Sequence, residues 1–280
     1  MNALEIKDLC KSYDSFRLEP LSLTLPSGCI MGLIGENGAG KSTTIRLILD
    51  LVSRDGGSVM ILGKDNQKDL RLMKEDIGVV LDEVGISECL TARQVGKIMK
   101  NTFKRWDEHA YEEYLQRFSL PNNKKFKDLS RGMKMKVGIA VALSHHAKLL
   151  ILDEATSGLD PIARDEITDL LNEFTRDESH AVLISSHILS DLEKVCDYIA
   201  FLHKGRLLLC EEKDRLKELY GVVHLSSAEF QKIPQSAIVG KRATEYGTEA
   251  VVEKGVLPYG IETGQIDLEQ LFLFMTKEAV

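Results

Sequence analysis

The sequence predicts an α/β protein built around a mostly parallel sheet. Three observations support this. Strand-length apolar runs alternate with segments of helical period, a glycine-rich turn joins one such strand to one such helix, and a block of purely helical patterns interrupts the alternation near the middle of the chain.

Taken in order, Ala3 to Leu9 and Arg17 to Leu25 read as strands, the second with partial apolar/polar alternation, and they imply a small antiparallel β subdomain. The run Cys29 to Ile34 is a third strand. From Lys41, apolar residues Ile45, Leu47, Ile48 and Leu51 follow a helical period. After the turn Asp55-Gly56-Gly57, strands are expected at Ser58 to Leu62 and Ile77 to Leu81. Residues from about 84 to 145 carry helices at Ala92 to Phe103, Asp107 to Phe118 and Gly132 to Ser144, an inserted helical subdomain. Alternation then returns, with strands at Lys148 to Leu152, Ala181 to Ile184 and Tyr198 to Leu202, and helices at Pro161 to Phe174 and Ile188 to Val195. A helix at Glu212 to Tyr220 closes the first region, 1–220. The second, 221–280, reads as a small α+β tail ending in a helix near Leu268 to Met275. The apolar cluster Leu268, Leu271, Phe272, Phe274 and Met275 predicts docking, onto the chain itself or between two copies.

Composition narrows the function. The 280 residues are 44% hydrophobic and 28% charged, as expected for a chain with a full core. No apolar run nears the roughly 20 residues that cross a bilayer, and the N-terminus shows no basic stretch before an apolar one, so no secretory signal is expected. The net charge of −7 argues against nucleic acid as the main partner. Five cysteines without C-x-x-C spacing read as free thiols in a reducing compartment.

The strongest motif is Gly35-Glu36-Asn37-Gly38-Ala39-Gly40-Lys41-Ser42, which fits G-x-x-x-x-G-K-[ST] between a strand and a helix. Its glycines let backbone N–H groups turn around a phosphate chain at a helix N-terminus, with Thr43 next in line. Lys41 is expected on the β- and γ-phosphates and the Ser42 hydroxyl on Mg²⁺. The strand Leu149 to Leu152 ends in Asp153-Glu154, where ligands of open α/β sheets bind. Asp153 suits Mg²⁺, directly or through water, and Glu154 suits orientation or deprotonation of the attacking water.

Four further segments separate kinases, GTPases and ATPases: Leu129-Ser130-Arg131-Gly132-Met133 at a helix start, Ser157-Gly158-Leu159-Asp160 before Pro161, Ser185-Ser186-His187 at a strand end, and Tyr13 well before Gly35. In this order and spacing the chain resembles ABC-type ATP-binding domains over roughly residues 1–220, on a P-loop NTPase core. The resemblance implies two such domains facing head to tail, each ATP lying between the phosphate loop of one and the signature segment of the other. It implies that Tyr13 stacks on adenine, with Phe16 as the rival ring. It makes Ser130, Arg131 and Gly132 the signature segment, with Ser130 also suited to cap its helix. Asp160 becomes a communicator between sites or a plain helix cap, and His187 the switch histidine. Lys41, Glu154 and His187 are then the catalytic set.

Two departures stand out. Asp82, beside Glu83, occupies the strand end where the family usually has a glutamine near Mg²⁺ and the membrane partner. Arg131 and Met133 stand where glycine and glutamine are commonest in the signature. The function implied is that of an ATP-binding and hydrolysing subunit, powering a membrane transporter of ABC-2 exporter kind. It would sit in the cytoplasm on the inner face of the membrane, with a separate transmembrane permease and a second ATP-binding subunit, a copy or a paralogue. The alternatives are an ABC ATPase acting on ribosomes or DNA, and a kinase using the same loop.

Overall fold

A computed structural model describes residues 1–245 and 247–276, without the side chains at 70–72 and 227–228. In chain order, β1 (Asn2–Ser12), β2 (Arg17–Pro26) and β3 (Ile30–Ile34) precede α1 (Lys41–Ile48). Next come β4 (Gly56–Ile61), β5 (Lys64–Asp65), α2 (Asn66–Met73) and β6 (Ile77–Val80). The helical insertion supplies α3 (Ala92–Thr102), α4 (Glu108–Arg117) and α5 (Arg131–Leu143). The chain returns through β7 (Leu149–Asp153), α6 (Pro161–Phe174), β8 (Ala181–Ser186), α7 (Leu189–Val195), β9 (Tyr198–His203) and β10 (Arg206–Glu212). Helix α8 (Lys213–Leu219) leads into the tail, which holds β11 (Tyr220–Leu225), α9 (Ser227–Phe230), β12 (Ile238–Thr244), β13 (Gly247–Glu253) and α10 (Leu268–Thr276).

The central sheet has the order β10-β9-β3-β8-β7-β6, parallel except for the antiparallel edge strand β10. A second, antiparallel sheet has the order β2-β1-β4-β5, and the tail forms a third, β11-β13-β12. Two elements differ from the sequence expectation. Helix α2 lies where no helix was expected; it is a polar octapeptide whose buried Asn66 donates to the carbonyls of Leu47 and Ile48. Strand β10 pairs back on β9 through Lys204 and Gly205, both at positive φ, the backbone of a tight hairpin turn.

The pleat of the central sheet sorts side chains onto two faces. Ile30, Ile34, Leu150, Leu152, Val182 and Ile184 join one apolar core with α5, α6 and α7. Met31, Leu33, Leu149, Ile151, Ala181 and Leu183 join the other, with α1 and the antiparallel sheet. The helices of the insertion start where capping chemistry starts them: Thr91 and Gln94 form a capping box on α3, Asp107 caps α4 and Ser130 caps α5.

Of the two docking modes open for the tail helix, the structure shows docking onto the chain itself. Leu268, Leu271, Phe272 and Phe274 of α10 belong to the same core as α7, and Phe272 meets Phe201 edge-on at 5.1 Å between ring centroids. The rest of the tail has a small core of its own around Val223, Ile233 and Val252. Among the described residues, no helix is long and apolar enough to cross a membrane.

Candidate nucleotide site

Parallel register brings three strand ends together. Ile34 of β3 lies beside Ser186 of β8, and Asp153 of β7 beside Ser185. The segments that follow β3, β7 and β8 therefore converge at the carboxyl edge of the sheet, where such sheets bind ligands.

The loop after β3 needs its glycines. Gly38 and Gly40 sit at φ 81° and 111°, and a Cβ on Gly35 would come within 2.3 Å of the Leu202 carbonyl. Helix α1 has no side-chain cap and no acidic residue in its first turn, so its leading N–H groups stay free for an anion. The loop is braced from outside by one residue. Gly205 N–H donates to the Ala39 carbonyl at 2.9 Å, and the Gly205 carbonyl accepts from Glu19 N–H of β2 at 2.8 Å. Gly205 itself has φ 78°, and a Cβ there would lie 1.9 Å from the Arg17 carbonyl.

Lys41 is buried and fully engaged. Its ammonium donates to the carbonyls of Gly35 at 2.7 Å and Glu36 at 3.2 Å, and lies 3.0 Å from Glu154 Oε1. The other oxygen of Glu154 meets His187 Nδ1 at 2.7 Å. An ionised carboxylate only accepts, so Nδ1 carries the proton and Nε2 is left for another partner. Glu154 has φ 52°, a left-handed backbone unusual for a residue other than glycine. Its N–H donates to Ser185 Oγ at 3.0 Å, and that hydroxyl donates to Asp153 Oδ1 at 2.6 Å. Ser185, given no individual role from sequence, thus fixes the Asp153 carboxylate and the Glu154 backbone; a small hydroxyl residue at the neighbouring strand end was the available signal.

Metal chemistry fits this donor set. The Ser42 hydroxyl and the second Asp153 oxygen make no hydrogen bond among the described residues, and both are hard oxygen donors. Mg²⁺ is commonly held by one or two protein oxygens plus substrate phosphates and water, not by a closed protein cage. Thr43, also in the first turn of α1, is half-buried beside Ser42.

Other expected residues lie further out. Tyr13 is exposed in the β1–β2 turn, its N–H bonded to the Phe16 carbonyl at 2.8 Å and its ring 5.6 Å from the Lys11 ammonium. Phe16 packs on the loop, with Cζ 3.0 Å from where a Gly40 Cβ would stand. Ser130 is exposed, its hydroxyl accepting from Met133 N–H at 3.3 Å, and Gly132 faces Leu159. Asp160 caps α6 by accepting from the N–H groups of Ala163 and Ile162, which hold its carboxyl below the usual aspartate range. Asp82 is half-exposed and ion-paired with Arg131; among the described residues its side chain bonds to nothing around Lys41 or Asp153.

A glycine-cradled loop at a helix start, an engaged lysine and a strand-end carboxylate pair define a nucleoside-triphosphate-binding α/β ATPase. The chain belongs to the ABC transporter family, whose profile matches residues 18–157. It is 37% identical over 224 residues to the lantibiotic transport ATP-binding protein SrtF of Streptococcus pyogenes, covering 78% of this chain and 95% of that one. It is 36% identical over 218 residues to the bacitracin transport ATP-binding protein BcrA of Bacillus licheniformis, covering 77% and 71%. Among solved structures, the ATP-binding subunit of an ABC transporter superposes with a TM-score of 0.70 at 30% identity, over 77% of this chain and 92% of that chain.

Proposed function

We propose that this chain is the ATP-hydrolysing motor of a membrane exporter, acting with a second ATP-binding subunit and a separate transmembrane permease. The observation that carries the reading is the chain Lys41–Glu154–His187, at the point where β3, β7 and β8 end together. Phosphates of ATP draw Lys41 away from Glu154, which frees a carboxylate to orient the attacking water and take its proton. His187 holds that carboxylate through Nδ1–H and offers Nε2 to the transferred phosphoryl group. Ser42 and Asp153 would hold Mg²⁺, which would supply charge neutralisation on the phosphates. Loop N–H groups from Gly35 to Thr43 bind the phosphates, and Tyr13 stacks on the base. Ser130 and Gly132, bonded to nothing in their own phosphate loop, are available to the ATP of a facing subunit.

An apolar groove of about 820 Å³ between the β6 edge and the helical insertion supports permease docking. It is lined by Leu51, Val79, Leu81, Met99, Phe103 and His145. The names of the relatives, transport ATP-binding proteins for lantibiotics and bacitracin, favour transport over a role on ribosomes or DNA. On this reading the chain works in the cytoplasm against the inner membrane face. The test has two parts: Mg²⁺-dependent phosphate release by the purified chain, and the membrane protein that co-purifies with it in mild detergent. Absence of hydrolysis, or co-purification with ribosomes alone, would reject the proposal.

A further inference from the structure

Arg164 on α6 and Asp191 on α7 form an ion pair to which the hydrolysis scheme above gives no role. The guanidinium donates to Asp191 Oδ1 at 3.0 Å and to the Leu159 carbonyl at 3.3 Å. The Asp191 side chain is only 7% exposed and that of Arg164 28%. Asp191 Oδ2 and Arg164 Nε are buried without a partner among the described residues. A buried ion pair with orphaned atoms is seldom more stable than an apolar pair of the same volume, so stability is a poor reason for this one.

Its placement offers a better reason. Helix α7 begins two residues after His187, so Asp191 sits in the first turn of the helix that follows the histidine. Leu159 lies in the short loop that leaves Glu154 and ends at the Asp160 cap. Arg164 therefore grips both flanks of the Glu154–His187 hydrogen bond, one through a carboxylate and one through a backbone carbonyl. Leu159 also packs on Gly132, where a Cβ would lie 3.2 Å from Leu159 Cδ2. The same guanidinium is thus one contact removed from the start of α5, the segment expected to serve a facing subunit.

We propose that Arg164 and Asp191 are positioning residues for hydrolysis: together they hold His187 in register with Glu154 and tie that register, through Leu159, to the start of α5. The inference rests on the hydrolytic role proposed for Glu154 and His187. Loss of the pair lets α7 and the Leu159 loop shift independently, and a misplacement of about 1 Å costs on the order of 10²-fold in rate.

The experiment compares steady-state ATP hydrolysis, ADP binding and melting temperature for the full chain and four variants: Asp191→Asn, the apolar double variant Arg164→Met with Asp191→Leu, His187→Ala, and Asp191→Asn combined with His187→Ala. Asp191→Asn should lower kcat about 10²-fold while KM and ADP affinity stay within about twofold. Added to His187→Ala, the same substitution should lower kcat by less than about threefold, because the pair acts through the histidine. Equal losses in both backgrounds would overturn the proposal. So would a double variant that melts like wild type and hydrolyses ATP at the wild-type rate. That double variant carries the test if Asp191→Asn leaves the Arg164 charge stranded and the chain misfolds. A wild-type chain without hydrolysis would defeat the function proposed for the site, and with it this inference; unchanged kcat in folded variants of an active chain defeats this inference alone.

Discussion

Glu154→Gln should tighten nucleotide binding while stopping hydrolysis, and the structure sets the size of the first effect. Lys41 and Glu154 lie 3.0 Å apart with side chains 5% and 12% exposed. At an effective dielectric near 20, two unit charges at that separation attract by about 5.5 kcal/mol. In the proposed scheme nucleotide breaks this contact to recruit the lysine, so Glu154 competes with phosphate. A glutamine keeps a neutral hydrogen bond, and His187 already shares the carboxylate. The difference therefore shrinks to the roughly 1.5–3 kcal/mol typical of a hydrogen bond to a charged group. That corresponds to about 10- to 150-fold in affinity. The assay is calorimetric titration with ADP and Mg²⁺, since ADP reaches Lys41 through its β-phosphate but lacks the γ-phosphate that would recruit a facing subunit. Phosphate release should fall by about 10²- to 10⁴-fold, the usual contribution of a general base. Unchanged or weaker ADP binding would refute the competition, and wild-type turnover would remove Glu154 from the catalytic set.

Three other outcomes are expected. Because Asp82 and Arg131 are each 52% exposed, Asp82→Gln should move the melting temperature by no more than about 4 °C and leave basal hydrolysis near wild type, while the response to the reconstituted membrane subunit is lost. Phe272→Ala should cost about 3–5 kcal/mol in denaturant unfolding, without changing the ADP affinity of the folded fraction, because that ring is packed on Phe201. His145 is stacked on Phe103, and burial lowers its pKa below the ordinary histidine value of about 6.5. The fold thus favours the neutral ring, and its contribution is complete above about pH 6.5 and fades as pH falls through the window below. Melting curves from pH 7.5 to 5.5 should show that loss, and His145→Phe should reduce it. The carboxylates of Asp107, Asp160 and Asp177, with pKa values lowered below 3.8, titrate in a separate, more acidic window.

Legibility in the sequence follows the range of the interactions. The phosphate loop could be read from eight consecutive residues because its chemistry is local: glycines for the turn, a lysine and a hydroxyl for the ligand. Asp153 and Glu154 could be read because a strand end in a parallel sheet has only one kind of neighbour. Helix α2 escaped notice because its pattern is polar and its anchor, Asn66, bonds to carbonyls on α1. Strand β10 was lost because its turn, Lys204-Gly205, needs positive φ at a lysine as well as at the glycine. The pairing of Asp82 with Arg131 joins residues 49 positions apart, which no local pattern encodes. The apolar spacing of α10 predicted that the helix would dock; only the tertiary fold shows that its seat is α7 and Phe201.

The double bracing by Gly205 has a genetic consequence. Gly205 bonds in both directions. Its N–H steadies the phosphate loop and its carbonyl steadies the sheet that bears Tyr13, in a conformation and a space that admit no side chain. Random mutagenesis scored by loss of transport would recover alleles at Gly205 alongside those at Lys41. A map drawn from nucleotide-binding motifs alone would file them as unrelated lesions in a distant hairpin. They would be phosphate-loop alleles in every respect except their address in the chain.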